Sequence, residues 1–78
     1  MREKAPRVVI TFHTTAEAMA TEKLCTKAAL DGKLISAPRA LSADCGIAWS
    51  APSTLRETIE KLLADNAVEY DSIHELLL

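Results

Sequence analysis

Hydrophobic residues fill four of the six positions from Arg7 to Phe12, and all of these are β-branched or aromatic. Val8, Ile10 and Phe12 fall on one face and Val9 and Thr11 on the other, which predicts a β-branched first strand. The period then changes. Thr14-Thr15-Ala16-Glu17 has the form of a capping box, in which a threonine hydroxyl takes an orphan backbone N–H and Glu17 reaches back to the cap. It predicts a helix running through Met19, Leu24, Cys25 and Ala28 to about Leu30, ended at Asp31-Gly32 by a left-handed residue. Lys33 to Ala37 is a second short strand, closed by Pro38, which cannot donate to a ladder. A polar loop over residues 38–44 follows. Cys45 to Ser50 then alternates Cys45, Ile47 and Trp49 against Gly46, Ala48 and Ser50 as a third strand. After Pro52, Ser53 or Thr54 caps a second helix, Thr54 with Glu57 as another capping box. Its apolar stripe is Leu55, Ile59, Leu62 and Leu63, and it ends near Asp65-Asn66. Val68 to about Leu76 reads as a last strand, although Asp71-Ser72 interrupts the pattern and residues 73–78 also suit a helix.

The order βαββαβ is two split βαβ halves. The expected solution is a ferredoxin-like α+β fold, a four-stranded antiparallel sheet with two helices on one face. Residues 1–6 form an N-terminal extension and residues 7–78 a single domain, because 78 residues support one small core. Trp49 and Phe12 belong under the helices. Val9, Thr11, Gly46, Ala48 and Ser50 line the helix-free face, which suits ordinary solvent exposure or docking of a partner or a second copy.

Composition narrows the class. With 49% hydrophobic residues and mixed charges the chain is globular, and a formal charge of −2 leaves no basic footprint, so nucleic acid is not an expected partner. The apolar run behind the charged N-terminus is too short for a signal peptide, and no span suits a membrane helix. The expected compartment is the cytoplasm, where two cysteines are free thiols rather than a bridge.

In the expected topology the loop after the second strand lies at the same end as the start of the first helix. That brings Thr14 and Thr15 near Cys45. A helix N-terminus lowers a thiol pKa, as does a cation such as Arg39; Asp44 opposes this unless it caps the loop or pairs with Arg39. Gly46 leaves room for an approaching atom and fits a bulge equally well. Cys45 therefore has two readings, an accessible nucleophile or a small hydrophobe in the sheet. Cys25, mid-helix, reads as packed. His13 is a candidate base, although strand alternation turns it away from the core face; His74 reads as a surface residue. The cysteines and histidines lack the close-spaced pairs of zinc sites, and there is no Gly-rich phosphate loop, so neither metal nor cofactor is expected.

Thr11-Phe12-His13-Thr14-Thr15 with Ala18 and Glu22, then Pro38-Arg39 and Ser42-Ala43-Asp44-Cys45-Gly46, together resemble the selenium/sulfur carrier-like family of short bacterial proteins. The resemblance covers roughly residues 8–76. It implies a carrier rather than a turnover enzyme, with a persulfide or selenide on Cys45 and with Arg39, Ser42, Gly46, Thr14 and Thr15 shaping its surroundings. Donor and acceptor proteins, such as a cysteine desulfurase on the donor side, are the implied partners. Sulfur carriers that use a Cys-Pro motif differ, since this chain has Cys45-Gly46. Two other readings of the residues stay open: an interaction module in which Cys45 is structural, and a redox sensor pairing Cys45 with Cys25.

Overall fold

The computed structural model describes residues 5–39, 41 and 46–77. Strand β1 (Pro6–Thr11) leads into helix α1 (Thr15–Lys27) and strand β2 (Lys33–Ser36). Strand β3 (Ile47–Pro52), a 3₁₀ turn (Ser53–Leu55), helix α2 (Arg56–Asp65) and strand β4 (Ser72–Leu77) complete the second half. The sheet order is β2-β3-β1-β4 and every neighbouring pair is antiparallel. This is the expected ferredoxin-like α+β fold.

The register places Val8 opposite Ala51 and Ile10 opposite Trp49. These four side chains share one face, and with Phe12, Ala18, Cys25, Ile59 and Leu63 they make the buried core. α1 contributes Ala18 and Cys25 to it, with Leu24 packed alongside, while Met19 faces out and is half exposed. α2 contributes Ile59 and Leu63, flanked by Leu55 and Leu62, so its stripe is the one its spacing predicts.

Several boundaries differ from the sequence expectation, each for a local reason. α1 stops at Lys27 rather than near Leu30, and its left-handed residue is Ala29 (φ 58°), not Gly32. The Leu30 N–H donates to the Cys25 carbonyl (2.9 Å) and the Ala29 N–H to that of Thr26 (3.1 Å), a Schellman closure. α2 repeats it with Ala67 (φ 55°), where Val68 donates to Leu63 and Ala67 to Ala64. The capping box expected from Thr54 and Glu57 does not form. The 3₁₀ turn moves the N-cap to Leu55, which makes no side-chain cap, and leaves the Ser53 hydroxyl buried without a partner among the described residues. β3 begins at Ile47, not Cys45, because Gly46 has φ +72° and breaks the extended run. β4 is a strand to Leu77, which excludes the helical alternative; pairing with β1 along all six residues overrides the interruption at Asp71-Ser72.

On the helix-free face, Val9, Thr11, Ala48 and Ser50 are all buried, and only Gly46 of the five expected there is exposed. Arg7 contributes to this cover by donating from Nε to the Ser50 hydroxyl (3.1 Å).

Candidate functional site

The topology brings the start of α1 and both stems of the β2–β3 connection to one end of the sheet. β1 and β2 are both antiparallel to β3, so Thr11 and Ser36 end at the same edge as the start of Ile47–Pro52. Ser36 lies opposite Ile47 and Thr11 opposite Ala48. α1 begins four residues after Thr11, so its N-terminus and both stems of the β2–β3 connection share that end.

The stems are fixed by backbone hydrogen bonds. Ala37 N–H donates to the Gly46 carbonyl (2.9 Å), closing the hairpin one step beyond the ladder, and Leu41 N–H donates to the Pro38 carbonyl (2.9 Å), forming a turn that holds Arg39 exposed. At Gly46 a Cβ would meet nothing within 4 Å, so the positive φ, not crowding, is what calls for glycine. Ser42, Asp44 and Cys45 lie outside the described residues.

The expected capping box at α1 is present. Thr14 Oγ1 accepts from the Glu17 N–H (3.2 Å), while Glu17 Oε1 accepts from the N–H groups of His13 (2.8 Å) and Thr14 (3.3 Å). The Thr14 hydroxyl is thus committed to the helix, and Thr15 stands exposed in the first turn. The Glu17 carboxylate also sets a negative charge against the positive end of the helix dipole, which moderates the field that α1 offers to a thiolate. His13 is exposed on the turn between β1 and α1.

Cys25 is fully buried in the core, and burial pushes its thiol above the ordinary range. Such a thiol is protonated and shielded, which is how a packed cysteine behaves and not how a resolving one does.

Sequence reading missed one polar constellation near this end. The Ser72 hydroxyl lies 2.7 Å from Thr11 Oγ1 and 2.8 Å from His74 Nε2, and Thr11 Oγ1 is 3.4 Å from an Asp71 carboxylate oxygen. Thr11 is buried, and His74 is half-buried rather than a free surface residue. The i, i+2 spacing of Ser72 and His74 puts them on one strand face, but only the β1–β4 register adds Thr11. Among the described residues no cluster of His, Cys, Asp and Glu is arranged to hold a metal, and no helix is long and apolar enough to cross a membrane.

A family model described as "Putative Se/S carrier protein-like" matches residues 7–75, a span that includes Cys45 and Gly46. No curated protein and no solved structure matches the chain.

Proposed function

The chain belongs to the Se/S carrier protein-like family, and from that membership we propose that Cys45 accepts a sulfur or selenium atom from a donor protein and passes it to an acceptor. The family match across the Cys45-Gly46 pair is the observation that carries this reading. The Ala37–Gly46 hydrogen bond and the shared end of the sheet support it, because they tie the segment bearing the thiol to a rigid scaffold beside a helix N-terminus.

The transfer is a thiol exchange. The Cys45 thiolate attacks the terminal sulfur of a donor persulfide, a new S–S bond forms, and the donor cysteine leaves as a thiolate. An acceptor thiolate then attacks the outer sulfur and releases Cys45 unchanged. No external oxidant is needed, since the sulfane sulfur keeps its oxidation level throughout. Arg39, exposed on the turn, is placed to attract an anionic donor or cargo, and Gly46 lets the backbone turn sharply beside the thiol. Ser42, Asp44, Thr15 and His13 are the other residues we assign to the surroundings of the cargo.

Intact-mass analysis after incubation with a cysteine desulfurase and cysteine tests the proposal. The expected product carries the mass of one added sulfur atom, lost on reduction and absent from a Cys45→Ser variant. A chain that gains no sulfur at any donor ratio sinks the reading. Repeating the assay with a selenium donor distinguishes the two cargoes.

A further inference from the structure

The two edges of the sheet are built differently. β2 is short, four residues, with exposed Lys33 at its start and Pro38 just beyond its end, both devices that discourage a second strand from adding. β4 has none of these. It is six residues long, contains no proline, glycine or lysine, and pairs with β1 residue for residue from Pro6↔Leu77 to Thr11↔Ser72 without a bulge. Its outward N–H and C=O groups therefore run as a straight row along the edge. Its one charged residue, Glu75, is held by the Arg56 guanidinium, which also binds Glu60 (2.8 Å). Leu77, at the end of the strand, is 64% exposed.

We propose that β4 is a self-pairing edge, at which a second copy of this chain adds antiparallel to give one continuous sheet of twice four strands. A two-fold axis normal to the sheet pairs residues of the same face, which leaves two central registers. With His74 opposite His74 of the partner subunit, Ile73 faces Glu75 of the partner subunit and Leu77 faces Asp71 of the partner subunit, an apolar-to-charged mismatch at each. With Glu75 at the centre, Ile73 instead meets Leu77 of the partner subunit on the helix side, and His74 meets Leu76 of the partner subunit on the other. The second register covers the exposed leucine twice. Its cost is two opposed carboxylates, and each already carries its own Arg56. A contact of one strand against one strand is smaller than the roughly 1,200 Å² of a standard stable interface, so the association is concentration-dependent.

Sedimentation over a dilution series tests this with the full chain. The expected mass rises from the 8.5 kDa of one chain toward twice that value as concentration increases. Leu77→Lys, at an exposed position that folding does not need, weakens association at least ~10-fold, whereas Met19→Lys on the outer face of α1 leaves it unchanged. In a Cys45→Ser background, Glu75→Cys oxidises to a symmetric disulfide, because directly opposed residues lie ~5 Å apart, within disulfide reach. His74→Cys does not, being displaced by two residues, ~7 Å along the strand. A single-chain mass at every concentration overturns the proposal. So does loss of association in Met19→Lys, or equal cross-linking through His74→Cys.

Discussion

The indole of Trp49 lies directly over Gly32. A Cβ at residue 32 would stand 2.4 Å from Cζ2 and 2.7 Å from Cε2 of the ring, and 2.9 Å from the Ser50 carbonyl oxygen. Trp49 is the largest side chain in the core and is 2% exposed, so it has nowhere to retreat. Gly32→Ala is therefore expected to destabilise the fold by about 1–3 kcal/mol, the usual cost of forcing an extra carbon against a tightly packed side chain. Urea unfolding followed by Trp49 fluorescence measures it. Gly46→Ala makes the comparison, since only its left-handed backbone opposes a methyl, and the expected loss there is about 1 kcal/mol. Equal stability of Gly32→Ala and the parent would contradict the packing argument.

Both helices end on an alanine held at positive φ, Ala29 and Ala67, where glycine is the usual occupant. The Cβ strains each position, so Ala29→Gly and Ala67→Gly should each stabilise the chain by roughly 0.5–1 kcal/mol after allowing for the extra freedom of glycine when unfolded. The two sites are on separate helices, so their effects should add in thermal unfolding. Destabilisation by either variant would mean that the methyl packs usefully.

Cys25 and Cys45 should differ sharply in reactivity. Alkylation of the folded protein near neutral pH is expected to modify one thiol rapidly, with the fast phase absent from Cys45→Ser. Cys25 reacts only on unfolding, since it is buried and its pKa is raised. The raised value has a second consequence. The unfolded chain releases the Cys25 proton at ~8.5 while the folded chain still holds it, so stability is full below that pH and declines as pH rises through the folded value. Cys25→Ala should flatten that alkaline decline in a series of unfolding curves. An unchanged slope would assign the decline to other groups.

Much of this architecture is readable from local pattern. The alternation of Val8, Ile10 and Phe12 and the stripe of Ile59 and Leu63 follow directly from period and burial, and Thr14 with Glu17 announces a cap that depends on no distant residue. The misreadings share a different origin. Gly32 looks like a helix stop, but it is required by Trp49 from another strand, and no propensity marks Ala29 as left-handed. Thr54 and Glu57 have the spacing of a capping box, yet the 3₁₀ turn after Pro52 carries the chain past it. The Thr11–Ser72–His74 chain depends on the pairing of β1 with β4, which local sequence does not encode. Within the candidate site, Thr14, Thr15, Arg39 and Gly46 fall at one end as the topology requires, and Cys45 stands out by residue type and family motif.

The placement of β1 between β3 and β4 bears on how the chain comes to be folded at all. Both of its partners lie far along the chain: Thr11 pairs with Ala48, and its hydroxyl meets Asp71 across a separation of 60 residues. Before β3 and β4 pair with it, β1 leaves Val8, Val9 and Ile10 with no strand on either side. Pairing it on both sides carries a large loop-closure cost, so folding is expected to be slower than that of a helical bundle of equal length. Until that pairing occurs, Val8, Val9 and Ile10 form an apolar strand with two open edges.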